Sequence, residues 1–241
     1  MSRLVFLHGF TQTHHHWHGP AHAIAQQLPG QHTLSFVDLP GHGLAADDRT
    51  KLTSAGEALA GLGGEGLWVG YSMGARFALH ASLAPDNQID RLVLIGATPG
   101  IEGAAERAER QQLDESRAAA IERDGIEGFV DAWLAMPMFA RLPPDERDLT
   151  HRRRNDAAGL ASSLRLAGTG SQVPLWERLG EIDIPVLVLA GALDPKFVAI
   201  GQRMATHLPN GTFVAIADAA HAAHTEQPGA VAAAIRSWAN P

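Results

Sequence analysis

A chain of 241 residues is long enough to bury a large core and suits one α/β domain with room for an insertion. Its 45% hydrophobic and 19% charged residues mark an ordinary globular chain, and the lack of cysteine excludes disulfides, thiolate metal sites and a cysteine nucleophile together. A formal charge of −7 argues against a nucleic-acid surface; no stretch approaches the roughly 20 apolar residues of a membrane span, and no signal-peptide pattern precedes the first apolar run, so a cytoplasmic protein is expected.

In chain order, the apolar runs are short and each is stopped by glycine, proline or a polar turn. Residues 4–7 end at His8-Gly9-Phe10, 33–37 at Asp38-Leu39-Pro40-Gly41, 67–71 at Ser72, and 91–95 at Gly96. Such runs are what buried parallel strands look like, and the helix-length stretches 19–28 and 53–62 between them supply the crossovers. After Thr98-Pro99-Gly100 the strand pattern gives way to helical stretches at 104–123, 126–136, 144–154 and 155–167. Strand pattern returns at 184–190 and 211–217, and 228–239 reads as a closing helix. The expected architecture is α/β: a mostly parallel central sheet flanked by helices, its core formed by 1–98 and 171–241. Residues 99–170 would form a helical lid over the sheet's carboxyl edge, where such folds place their sites. The chain has 17 arginines and only two lysines, Lys51 and Lys196. Ten arginines fall in 99–170 beside 13 acidic residues, which reads as a salt-bridged helical surface.

Gly70-Tyr71-Ser72-Met73-Gly74 is a G-x-S-x-G turn between a strand and a helix-like run, the context in which such a turn holds a nucleophilic serine. The partners follow in the order serine, acid, histidine. Asp194 comes directly after one buried strand and His221 after the next, so both belong at the same sheet edge as Ser72. Asp183 precedes its strand and lies at the wrong end; His224 reads as a supporting or surface residue. The backbone N–H groups of Phe10 and Met73 are the candidate oxyanion hole, and His8 reads as a structural histidine bonded to its loop. Adjacent histidines rarely converge on one ion, so His14–His18 reads as a loop at the pocket rim and no metal is expected. Arg76 lies one helical turn beyond Ser72, positioned to meet an anionic substrate or else a surface acid.

Several segments go beyond this general pattern. Leu-His-Gly-Phe at 7–10, Asp-Leu-Pro-Gly-His-Gly at 38–43, the elbow and Ala-His-Ala-Ala-His-Thr-Glu-Gln-Pro at 220–228 resemble the α/β-hydrolase fold. Gly-Tyr-Ser-Met-Gly-Ala-Arg (70–76), Leu-Ile-Gly-Ala-Thr-Pro-Gly-Ile (94–101) and Glu-Arg-Ala-Glu-Arg-Gln-Gln-Leu-Asp (106–114) resemble the 2-succinyl-6-hydroxy-2,4-cyclohexadiene-1-carboxylate synthases of menaquinone biosynthesis. So do residues 129–139 and 168–179. The resemblance implies a lyase that eliminates pyruvate from a substrate bearing several carboxylates, with Ser72 and His221 as base and no cofactor. It also implies carboxylate-binding roles for Arg76, Arg110 and Arg152, and pocket-lining roles for Tyr71 and Trp133. Ala75 departs from the family's second glycine, and the run Arg152-Arg153-Arg154 leaves the register open by a position or two.

Two other readings stand beside this one. A carboxylesterase or C–C bond hydrolase would use the same triad as nucleophile, and a non-catalytic receptor would use only the pocket. The expected partner is a small anionic molecule, with neither nucleic acid nor membrane, and the chain is expected as a monomer or small homo-oligomer.

Overall fold

The six apolar runs become the strands β1 (Ser2–Leu7), β2 (His32–Val37), β3 (Gly66–Tyr71), β4 (Ile89–Ile95), β5 (Val186–Gly191) and β6 (Gly211–Ile216). In the computed structural model, which describes residues 2–239, they form one parallel sheet in the order β2-β1-β3-β4-β5-β6. Side chains alternate across each strand, so each strand feeds two cores. Leu4 and Phe6 of β1 join Leu67, Val69 and Tyr71 of β3 on one face, beneath α1 (His18–Gln27) and α10 (Pro228–Ala239). Val5, Leu7 and Trp68 face the other way, beneath α2 (Leu52–Gly63), α3 (Met73–Ser82) and α8 (Pro195–His207). Phe6 and Phe77 are completely buried, each contributing on the order of 2–3 kcal/mol by leaving water. The interior strands β3 and β5 are buried along their whole length, which is why their sequences are continuous apolar runs.

The chain runs from β1 outward to β2, then returns past β1 to lay down β3 on its other side. The carboxyl ends of β1 and β3 therefore flank the point where the strand order reverses. Neighbouring loops diverge there and leave a crevice, so this geometry alone marks the place for a site.

Between β4 and β5 lies a helical segment: α4 (Ala104–Asp124), α5 (Ile126–Leu134), α6 (Leu149–Arg152) and α7 (Ala157–Ala167). It has its own small core, in which Ala118 and Ile121 of α4 pack on Leu160, Ala161 and Leu164 of α7. The stretch 144–154, expected as one helix, is instead a 3₁₀ turn (Pro144–Arg147) followed by the single turn of α6. Asp148 separates them with left-handed backbone (φ 44°, ψ 53°), and its carboxylate accepts the His151 N–H at 3.4 Å. α7 starts at Ala157 rather than 155 because Asp156 caps it, taking the Gly159 N–H at 2.7 Å. The helix α8 was not anticipated, and the one-turn α9 (Ala223–Glu226) follows β6. Arginines of the 99–170 surface are ion-paired: Arg165 bridges Glu115 and Glu122, Arg153 meets Asp131, and Arg123 meets Asp124. Such exposed pairs are screened by water and add little to stability. No helix among the described residues is long and apolar enough to cross a membrane.

The crossing of α3 over β1 packs closely beside the crevice. A Cβ on Gly74 would stand 2.2 Å from the Leu7 carbonyl oxygen and 2.7 Å from that of His8, backbone atoms that cannot swing aside. Gly74→Ala should therefore cost at least about 3 kcal/mol, the upper end of overpacking penalties, in urea unfolding. A loss under about 0.5 kcal/mol, within the scatter of neutral surface changes, would show that α3 can slide.

Candidate active site

Ser72 joins β3 to α3 with φ 51° and ψ −106°, a conformation that costs a non-glycine residue about 1–3 kcal/mol. Its N–H donates to the Ile95 carbonyl at 2.8 Å, fastening the strained turn to β4. The flanking glycines are required by space, because a Cβ on Gly70 would lie 2.6 Å from Ala75 Cα and one on Gly74 would strike β1. Strain, tether and close passage together push the serine hydroxyl out over the end of the sheet.

Asp194 follows β5 and His221 follows β6, and the sheet brings them to the same edge. His221 Nε2 lies 3.0 Å from Ser72 Oγ, and its Nδ1 lies 3.1 Å from Asp194 Oδ2. The other carboxylate oxygen, Oδ1, accepts the Phe197 N–H at 3.4 Å, so Asp194 also caps α8 and is held by it. Gly96, with φ 59°, leaves room for the imidazole, since a Cβ there would come within 2.9 Å of His221 Cε1. Rings of Phe197 (4.5 Å) and Tyr71 (5.4 Å) hold the imidazole from its sides. With Nδ1–H donated to Asp194, Nε2 is free to take the Ser72 proton, an arrangement suited either to nucleophilic attack or to base catalysis.

The N–H groups of Phe10 and Met73 donate to no acceptor among the described residues. They lie at the ends of β1 and β3, on the two sides of the crevice. The loop carrying Phe10 is set by two buried histidines. His8 accepts the Leu39 N–H at Nε2 (3.0 Å) and donates Nδ1–H to the Gly9 carbonyl (2.9 Å). His42 accepts the Thr11 N–H at Nε2 (3.2 Å) and donates Nδ1–H to the Pro40 carbonyl (3.1 Å). Both roles require neutral imidazoles, and burial pushes His8 down to about 4 and His42 to about 3. The structural role read for His8 in the sequence is the one it has.

A cavity of about 300 Å³ opens over Ser72, between the strand ends and the helical segment. Tyr71, Trp133 and Phe139 line it, and the Trp133 indole N–H is buried without a hydrogen-bond partner. Arg76, Arg110 and Arg152, all singled out in the sequence, line it too. Arg110 pairs with Asp114, buried to 2% exposure, at 2.8 Å. Arg76 and Arg152 are only 7% and 3% exposed, yet neither has an ion-pair partner among the described residues. Arg76 donates to Gln172 Oε1 at 3.4 Å; Arg152 donates to Thr11 Oγ1 at 2.5 Å and to the Arg147 carbonyl at 2.7 Å. Burial lowers both guanidiniums to about 10, so both remain charged at neutral pH. Of the arginine run, Arg152 faces the cavity while Arg153 turns out to Asp131.

The reading of the histidine-rich loop changes, and that of His224, supporting or surface, narrows to supporting. None of His14–His18 lines this cavity; His15 and His16 line a second one of about 380 Å³ with Asp145, Glu146 and Asp148. Among the described residues no three acidic or histidine side chains converge to hold a metal. His224 is not at the surface: it is buried between Trp17 (4.6 Å) and Tyr71 (4.2 Å), behind His221. Two cavity cations escaped the sequence reading. Arg117 lies 3.8 Å from Asp114 and 5.4 Å over the Trp133 ring, and Lys196 sits beside Asp194. For Arg117 a signal existed, since Arg110, Asp114 and Arg117 share one face of α4 at i, i+4 and i+7.

Residues 4–234 match the Alpha/beta hydrolase family. A curated relative from Bacillus subtilis is 36% identical over 93% of this chain and 85% of its own length. The 2-succinyl-6-hydroxy-2,4-cyclohexadiene-1-carboxylate synthase of Klebsiella pneumoniae is 32% identical over 96% of this chain and 91% of its own. The structure of MenH from S. aureus superposes with a TM-score of 0.90 at 32% identity, covering 98% of this chain and 92% of that one.

The buried histidines make stability depend on pH. His8, His42 and His224 (the last lowered by burial to about 3) bind a proton near pH 6.5 when unfolded but only near pH 4 to 3 when folded. Between those limits the unfolded state holds more protons, so their contribution is whole above pH 6.5 and shrinks as pH falls. Urea unfolding from pH 7.5 to 5 should show stability declining by up to about 1.4 kcal/mol per pH unit for each histidine. A flat profile over that range would contradict the neutral, buried assignment.

Proposed function

The chain belongs to the Alpha/beta hydrolase family and, within it, to the 2-succinyl-6-hydroxy-2,4-cyclohexadiene-1-carboxylate synthases, and from that membership we propose that it eliminates pyruvate from a cyclohexene bearing an enolpyruvyl group and several carboxylates. The observation that carries the reading is the pair of buried guanidiniums, Arg76 and Arg152, without counter-ions in the cavity. An unpaired buried charge costs several kcal/mol, a cost that a neutral ester would leave standing. A substrate carboxylate removes it, because carboxylate and guanidinium match through two parallel charge-assisted hydrogen bonds.

In this reading His221 draws the proton from Ser72 Oγ, and the serine oxygen removes a proton from the substrate ring. The C–H electron pair becomes a new ring double bond, the ring carbon–oxygen bond breaks, and the departing enolpyruvate takes up a proton to become pyruvate. Negative charge developing on a conjugated carbonyl oxygen meets the free N–H groups of Phe10 and Met73, where two preorganised donors contribute most. Asp194 keeps Nδ1–H of His221 in place and stabilises the imidazolium. Arg110 and Arg117, anchored by Asp114, and the Trp133 indole N–H supply further donors to the anionic substrate. The helical segment 99–170 serves as the lid that keeps the charges dry. The chemistry asks for no cofactor, and the reading carries with it a cytoplasmic enzyme acting on a small molecule.

The test supplies the enolpyruvyl substrate and follows pyruvate. Wild-type protein should release it in step with the cyclohexadiene, and Ser72→Ala or His221→Ala should lower kcat by at least about 10³-fold, as members of one catalytic unit do. Arg76→Ala should lose about 2–5 kcal/mol in kcat/KM, the loss on breaking a buried charge pair. No pyruvate from wild-type protein, with simple esters turned over rapidly, would leave the hydrolase reading in its place.

A further inference from the structure

The cavity cations are distributed unevenly around Ser72. Arg76 lies on α3 with Arg110 and Asp114 as its charged neighbours, and Arg152 lies against Thr11 and Tyr71. The wall beside His221 is formed by Gly96, Thr98, Asp194, Lys196 and Phe197. Lys196 is its one cation. The Lys196 ammonium lies 5.9 Å from the Phe197 ring, which itself packs 4.5 Å from His221.

That lysine runs against the local preference of its helix end. It is one of two lysines in a chain with 17 arginines. It occupies the second position of α8, where the helix dipole disfavours a cation, and the one acid at that helix end, the capping Asp194, has its two oxygens engaged by the Phe197 N–H and by His221 rather than by the lysine. It has no ion-pair partner among the described residues, whereas Arg203, farther along the same helix, is paired with Glu102. A residue that breaks a local preference with no structural gain is expected where function needs it.

We propose that Lys196 is a further substrate-binding residue, which receives the carboxylate of the fragment that leaves. The inference rests on the lyase reading above. In that reaction the departing group carries its own carboxylate, and Lys196 is the cavity cation on the element that also carries Asp194 and Phe197 against His221, free of the buried arginines that would hold the rest of the substrate. Arg76 and Arg152 are buried and held by hydrogen bonds, suited to the part of the substrate that stays fixed through the reaction. Lys196 is exposed on a flexible four-carbon stem, which lets it follow a small anion outward.

The experiment measures pyruvate release by wild-type protein, Lys196→Gln and Lys196→Arg, with pyruvate also added as a product inhibitor. Lys196→Gln should raise KM about ten-fold, as loss of one charge-assisted hydrogen bond does, while kcat falls less than about three-fold because the triad is untouched. Its inhibition constant for pyruvate should rise by a similar factor, and its kcat/KM should depend less on salt. Lys196→Arg, which keeps the charge, should stay near wild type. A KM and pyruvate inhibition unchanged in Lys196→Gln, or an arginine variant as impaired as the glutamine one, would overturn the proposal. Wild-type protein that releases no pyruvate would instead overturn the lyase reading itself.

Discussion

The turn after β3 passes so close to the end of β1 that Gly74 has only backbone carbonyls of Leu7 and His8 against its α-carbon. This approach sets the rest of the site. It brings the Met73 N–H within the crevice that also receives the Phe10 N–H, and it forces Ser72 into left-handed backbone from which its hydroxyl meets His221. The strain is affordable because the turn is over-determined: a hydrogen bond to Ile95 on one side, glycine contacts on the other, and a fully buried helix behind it.

Burial treats the titratable groups around this turn in two opposite ways. His8 and His42 are kept neutral, and each finds a donor and an acceptor for its two ring nitrogens, so they act as spacers that fix loop geometry. Arg76 and Arg152 are kept charged, and their hydrogen bonds go to neutral groups alone. The first pair is finished without a ligand, while the second pair gains most when an anion arrives. Asp114 stands between these cases, tying Arg110 and Arg117 to α4 while leaving both on the cavity wall.

The strands and the meeting of Ser72, His221 and Asp194 were legible because they rest on local rules: buried parallel strands are short apolar runs, and an acid or histidine just after such a run must lie at the sheet's carboxyl edge. The direction of a side chain on a loop follows no such rule. The histidines at 14–18 stood out in composition, but only the docking of Asp148 and His151 shows that His15 and His16 face a different cavity. The break at Asp148 was hidden because Asp-Glu-Arg before an amphipathic stretch reads as a helix start, and left-handed aspartate is a tertiary outcome. The start of α8 did have a signal, an aspartate followed by proline at the first helical position. It was overlooked because Asp194 already had a role as the triad acid. His224 lies three residues beyond His221 in the one-turn α9, too short for its spacing to predict burial.

The central claim is that Ser72 works here as a base toward carbon rather than as a nucleophile toward a carbonyl. The most direct measurement combines intact-protein mass spectrometry during turnover with a substrate deuterated at the ring carbon that loses its proton. The account predicts slower turnover of the deuterated substrate and a protein whose mass never changes. A covalent adduct on Ser72 that forms and decays with turnover, with no isotope effect, would contradict it.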